Sequence, residues 1–362
     1  MKIQVNAKSL NDILKKVKPF VGVQLKKLPI MQTIKITAYD SIHITATNLQ
    51  NSITSIIPGK VFEQGEICIN FKELQQMIKS QTDDIIITEN NIKNGITINY
   101  ESFNTLDYPN IRTIEDDIQA ITLSNDFITN LNICLPYVWD SKREGSERQI
   151  YEGVWIDNEN ILATDTYTLA LCKQNEIQYQ KNILIPTDAV KCIVSTFKKS
   201  NNIQCKISNN TIEISDGSYT VNCWIYTDLK IPNYKGILQG LKGYNYITVD
   251  TKYFKSIIDK LPLSEKHTDG ENVIEESTII DLEIFNNTVN MGTYSVKPFE
   301  IRCKEVYSDH LKLSYYNHLM KKLIHAFNEK EDKELTIKFN GILTPFTIEN
   351  DKMIVLGLPV RK

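Results

Sequence analysis

Apolar residues recur at helical spacing in six places along this chain and alternate with polar ones between them. In "LNDILKKVKPFV" at 10–21, Leu10, Ile13, Leu14 and Val17 form one stripe, with Ser9 placed to cap the helix and Asp12 three residues on. The same period predicts helices over 8–18, 72–79, 125–138, 188–199, 251–260 and 316–325. Between them, stretches such as "DIIITEN", "GITINYES" and "TIIDLEIFNNTVNMGTYSV" alternate around Asn, Asp and Gly, the pattern of antiparallel meanders.

The pattern repeats. "FITNLNICLPYV" at 127–138 matches the first helix at a shift of 117, which superposes Pro19 on Pro136 and Val21 on Val138. "TATN" at 45–48 falls on "LATD" at 162–165 at the same shift. "ICINFKELQQMIKS" at 67–80 lies opposite "ILIPTDAVKCIVSTFKKS" at 183–200, and weaker copies appear at 253–263 and 311–327. These repeats predict an α+β chain of three similar domains, 1–117, 118–243 and 244–362, each with two helices and antiparallel meanders.

Charge sharpens the picture. The chain carries a net charge of −3, yet its six predicted helices hold fourteen lysines against five acidic residues. They are thus net +9, and the remainder is −12. Lys72/Lys79 and Lys191/Lys198, each seven apart, share a helix face opposite the apolar stripe. Solvated lysines are ordinary on one amphipathic helix. Gathered on one surface, six such helices would make a cationic lining that attracts phosphates without reading sequence. They carry almost no arginine, so bidentate readout of guanine is not favoured.

Catalysis finds little support. The chain has no Walker loop, GxGxxG, HExxH or GxSxG. His318 and His325 share a face but lack the spacing and the further ligands of a metal site. Asp165 lies between hydroxyls in "ILATDTYTLAL", but its repeat counterpart is Asn48, so turn-fixing is expected of it rather than acid–base work. No cofactor or metal is expected. Seven scattered cysteines without a CxxC fit packed thiols in a reducing compartment. No run nears eighteen apolar residues, and the N-terminus lacks a signal-peptide core, so a cytoplasmic protein is expected.

Five motifs in order resemble one family. "KKLPIM" at 26–31, "LDYPNI" at 106–111, "GVWIDNENILATDTYTLAL" at 153–171, "IPNYKGIL" at 231–238 and the terminal "GLPVRK" are similar to segments of the bacterial sliding clamp, the β subunit of DNA polymerase III. The resemblance implies a head-to-tail homodimeric ring with helices lining a central hole. It would be a non-catalytic, nucleoid-associated processivity factor that encircles duplex DNA and tethers polymerase and clamp loader through linear peptides. The alternative is a clamp-like scaffold, a paralogue or mobile-element copy, with altered partners. Helix faces put Lys15, Lys72, Lys79, Lys191, Lys198, Lys199, Lys255 and Lys322 toward DNA, with Lys26, Lys27, Lys142 and Arg143 near the rim. By position in the family, Met77 and Phe103 would meet the partner chain.

The implied peptide groove would lie between the second and third domains. Its matching positions are Thr164, Leu169, Pro232, Ile237, Pro359, Val360 and Arg361. Tyr151, Thr166, Tyr167, Thr168, Gly236, Leu343 and Leu358 correspond by position only. Gly-His-Arg is common in the family where this chain has Thr166-Tyr167-Thr168, and a basic residue is common at Gly236. A groove less favourable to acidic peptides is therefore expected.

Overall fold

The structure, a computed structural model, describes every residue except 26, 115–117, 141–145, 242–244, 270–271, 309, 340 and 361–362, and omits the side chains of 146–148, 267–269 and 272–274. Lys26, Lys142, Arg143 and Arg361 thus lie outside the described residues. The architecture is α+β. Its helices are α1 Ala7–Val17, α2 Phe71–Ile78, α3 Asn125–Cys134, α4 Thr187–Phe197, α5 Tyr234–Gly240, α6 Thr251–Lys260 and α7 Asn317–Ile324. All but α5 follow directly, or after one residue, from a strand.

The six expected helices are present, with shifts of a residue or two at most ends and physical reasons for the larger differences. α1 is capped by Asn6, whose Oδ1 accepts the Ser9 N–H at 3.1 Å, so Ser9 is inside the helix rather than its cap. α3 stops at Cys134, and 135–137 form a 3-10 turn with Pro136 as its second residue, just as Pro19 is second in the turn after α1. Proline lacks the N–H that would continue the ladder, so both copies leave the α-helix at the same place.

Contacts divide the chain into two compact units, Met1–Asn132 with Ile183–Asp228, and Ile133–Asn182 with Leu229–Lys362. In the first, a five-stranded sheet runs Gly59–Glu63, Lys2–Asn6, Asp84–Thr88, Asn91–Asn94, Ile96–Asn99. Its larger sheet runs Ile121–Leu123, Ile203–Ile207, Thr211–Ser215, Tyr219–Trp224, Asn51–Ile57, Ile42–Thr47, Thr33–Ala38, Gly65–Asn70. The join between its two halves pairs Asn51 with Cys223 and Ile53 with Val221. Leu10, Ile13, Leu14 and Val17 of α1, and Phe71, Leu74 and Ile78 of α2, are buried in this unit's core.

In the second unit the large sheet runs Gly153–Ile156, Asn160–Thr164, Thr168–Lys173, Met353–Gly357, Phe346–Glu349, Glu334–Phe339, Asn245–Asp250, Glu305–Tyr307. Its join is of the same kind, pairing Thr168 with Gly357 and Leu169 with Leu356. A four-stranded sheet, Phe299–Glu300, Thr288–Gly292, Ile279–Phe285, Leu311–Tyr316, completes this unit together with the paired strands Ser264–Asp269 and Asn272–Ser277. Every register given for these sheets is antiparallel, as the alternating meanders require.

Candidate peptide-docking site

The described residues of the expected groove all belong to the second unit. Strand Thr168–Lys173 lies between Asn160–Thr164 and Met353–Gly357, so Leu169 faces Thr164 on one side and Leu356 on the other. The last strand then runs out through half-buried Leu358, Pro359 and Val360, with the Val360 N–H donating to the Ser314 carbonyl at 2.7 Å.

The turn 164–168 is held almost wholly by side chains. Thr164 Oγ1 donates to the Thr168 carbonyl at 2.7 Å and accepts the Thr166 N–H at 3.1 Å. Asp165 Oδ1 accepts the backbone N–H groups of Tyr167 at 3.0 Å and Thr168 at 2.6 Å, and the Thr168 hydroxyl at 3.0 Å. Asp165 is therefore the turn-shaping residue expected of it. Its other oxygen is engaged as well: Lys322 Nζ donates to Asp165 Oδ2 at 2.6 Å and to Thr168 Oγ1 at 2.7 Å. The two charged side chains are only 21% and 20% exposed, and the ammonium sits 4.7 Å from the Tyr137 ring centroid. Lys322, expected to face DNA, instead stands behind the groove turn as its charge partner.

Thr166 occupies φ 75, the left-handed region, which a β-branched residue adopts only under strain. The glycine common there in the family would carry none. Tyr167 is 57% exposed and free to form a wall, whereas Thr168 is 1% exposed, its hydroxyl engaged by Asp165 and Lys322.

The "IPNYKGIL" segment forms α5, which the periodicity did not reveal. Asn233 caps it by accepting the Gly236 N–H at 3.2 Å. A Cβ at Gly236 would come within 2.6 Å of the Asn233 Nδ2, so a larger residue here requires the Asn233 side chain to shift. Tyr234 is buried and anchors the helix: its hydroxyl donates to Asp157 Oδ2 at 2.5 Å and accepts from Asn160 Nδ2 at 2.9 Å. Burial, then the bond to Asp157, pushes the Tyr234 phenol up to about 12. Ile237 and Leu343 are left exposed, at 50% and 57%, while Pro232 and Tyr151 are half-buried.

The expected DNA-facing lysines of the first unit are well placed for solvent. Lys15, Lys27, Lys72, Lys79, Lys191, Lys198 and Lys199 are exposed. Lys15 pairs with Asp12 at 2.8 Å and Lys191 with Asp188 at 3.6 Å, and such exposed pairs hold a cation weakly. In the second unit Lys255 is half-buried and donates to the Phe327 carbonyl at 2.5 Å. Met77 and Phe103 are both half-buried, and the Phe103 N–H donates to the Cys68 carbonyl at 2.8 Å. Among the described residues no His/Cys/Asp/Glu group could hold a metal. No helix of the described residues is long and apolar enough to cross a membrane.

Comparison with solved structures decides the fold. A Bacillus subtilis DNA polymerase sliding clamp is 20% identical over 100% of this chain and 99% of its own, with a TM-score of 0.85. The chain has the sliding-clamp fold. Two further clamps align over the full length of both chains at a TM-score of 0.82: one from Bartonella birtlesii bound to griselimycin, 17% identical, and one from Helicobacter pylori bound to a DNA ligase peptide, 16% identical. No family model matches the sequence, and no curated protein matches it. The likeness is thus one of backbone, at 16–20% sequence identity.

Proposed function

We propose that this chain is a DNA sliding clamp, a non-catalytic processivity factor that closes around duplex DNA as a head-to-tail homodimer. The carrying observation is likeness over the entire chain to solved clamps. On this reading the chain divides into domains 1–117, 118–243 and 244–362, Met77 and Phe103 face the partner chain, and the exposed helix lysines face DNA. A topological link needs only diffuse attraction to phosphates, which lysine on helix faces provides and which permits sliding.

Polymerase, clamp loader and other partners would dock by linear peptides in the groove around Leu169, Tyr167, Ile237, Leu343 and Pro359. The DNA ligase peptide on the Helicobacter pylori clamp supports that mode. Exposed Tyr167, Ile237 and Leu343 offer the apolar anchors an extended peptide requires. The scaffold alternative is favoured by Thr166 and Gly236, which stand where the family commonly has Gly of Gly-His-Arg and a basic residue.

Chains loaded onto nicked circular duplex are expected to remain bound through gel filtration and to be lost when the circle is cut. Equal loss from circle and line, with peptide binding intact, would overturn the clamp in favour of the scaffold. Solution mass should show a species of two chains.

A further inference from the structure

The groove turn has a copy in the first unit, in which the same four backbone groups are satisfied. Thr47 Oγ1 donates to the Asn51 carbonyl at 3.0 Å and accepts the Leu49 N–H at 3.0 Å. Asn48 Oδ1 accepts the N–H groups of Gln50 and Asn51 at 3.1 and 2.8 Å, and Leu49 has φ 76 against 75 for Thr166. The next strand follows suit: Asn51 pairs with Cys223 as Thr168 pairs with Gly357, which makes Trp224 the counterpart of Leu358. Pro109-Asn110 likewise corresponds to Pro232-Asn233.

At this copy the sheet carries a cavity of about 340 Å³, lined by Thr47, Ser52, Trp224 and the segment Pro109–Arg112 among others. That volume falls at the lower end of the usual range for ligand pockets, about 300–1,000 Å³. Two features point to an occupant. Asn222, which also lines the cavity and is 6% exposed, has a buried Oδ1 without a hydrogen-bond partner. Such an acceptor is costly to leave unmet and calls for a hydrogen-bond donor. Arg112, the one charged residue of the lining, lies with its guanidinium 4.3 Å from the Trp224 ring centroid. A guanidinium held against a ring still has N–H groups to offer a carboxylate.

We propose that this cavity is a second peptide-docking site, taking an extended segment with an acidic residue beside an aliphatic one. A backbone N–H of the segment meets Asn222 Oδ1. An aliphatic side chain packs against Leu49 and Trp224, and the carboxylate meets Arg112. The two sites then divide their ligands by charge, since the groove of the second unit lacks the family's cations at Thr166–Thr168 and Gly236. Only the choice of a peptide as ligand rests on the clamp reading.

The test uses the full chain labelled with 5-fluorotryptophan, whose Trp224 resonance is assigned by Trp224→Phe. The probes are N-acetyl-Leu-Asp-Leu amide and its Asn isostere. The acidic peptide is expected to shift the Trp224 resonance saturably, with the Asn isostere about tenfold weaker. Arg112→Gln should erase that difference, Asn222→Leu should weaken both peptides, and Ile237→Asp in the groove should change neither titration. No shift, or equal affinity for both peptides, overturns the proposal. Loss with Ile237→Asp but not Arg112→Gln also overturns it, assigns the peptide to the groove and leaves the clamp reading standing. Saturation by a deoxydinucleotide at lower concentration than the acidic peptide would make this a nucleic-acid contact and overturn it too. Failure of retention on circular DNA would remove the clamp reading without touching the Trp224 titration.

Discussion

The turns Thr47–Asn51 and Thr164–Thr168 share a backbone but not an electrostatic setting. Both use a threonine hydroxyl and an Asx oxygen to satisfy the same four backbone groups. In the first the Asx is neutral Asn48, whose oxygen makes only the turn's own bonds among the described residues. In the second it is Asp165, whose spare oxygen takes the Lys322 ammonium. The repeat therefore preserves hydrogen-bond satisfaction, which any tight hairpin must achieve. Charge was free to differ, and it sets what each turn faces.

The contrast breaks most visibly at the charge pair. Asp165→Leu removes the turn's acceptor and leaves the Lys322 ammonium, about four-fifths buried, without its partner. The expected loss is about 3 kcal/mol by urea denaturation, as for other largely buried pairs broken on one side. Asn48→Leu removes the same turn bonds without stranding a charge and should cost about 1–2 kcal/mol. Equal costs would show that Lys322 contributes nothing to the second turn. The double variant Asp165→Asn with Lys322→Met keeps the turn bonds and strands no charge, so it should recover most of the loss.

How much of this could be read from residues alone follows the range of each interaction. The six longer helices were legible because stripe and periodicity are local, and the turn because the 117-residue shift set Asp165 on Asn48. α5 was not: seven residues with Gly236 and Gly240 have weak helical preference, and the helix depends on Tyr234 reaching Asp157, 77 residues away. The helix position of Lys322 points to the DNA face; its partner Asp165 is 157 residues distant and leaves no local trace. The Trp224 cavity has no signature in the residues, because Trp224 and Asn222 do not resemble Leu358 and Leu356, and only strand register equates them.

A smaller effect separates the anchors beside the two turns. Tyr108 holds the Pro109–Arg112 segment by donating to the Thr45 carbonyl at 3.2 Å, whereas Tyr234 holds α5 through a carboxylate and an amide. Tyr234→Phe should cost about 1–2 kcal/mol at neutral pH, since it leaves Asp157 and Asn160 short of one partner each. The phenol is raised from 10.0 to about 12, so the folded chain holds this proton more tightly than the unfolded one. Its contribution is complete below about pH 10 and is lost as pH rises toward 12. Stability measured from pH 9 to 12 should fall less steeply in Tyr234→Phe than in the parent. An unchanged slope would mean that this phenol titrates alike in both states.

The smallest effect bears on the turns themselves and has the opposite sign. Thr166 and Leu49 hold φ 75 and 76, while a third turn of this kind, Ser215–Tyr219, places Gly217 at φ 84. A β-branched residue is more strained there than leucine, because its second γ-substituent crowds the preceding carbonyl. Glycine removes the strain but loses more entropy on folding, which offsets about 0.5–1 kcal/mol of the gain. Thr166→Gly should therefore stabilise the chain by about 0.5–1 kcal/mol and Leu49→Gly by less, read as shifts in urea midpoint at constant slope. If Leu49→Gly gains as much or more, branching at the Cβ is not the source of strain and the two turns are equivalent at this position. If Thr166→Gly gains nothing, the surrounding bonds to Thr164 and Asp165 already hold the residue in this conformation at no net cost, and the threonine of this groove is as well suited to its place as glycine.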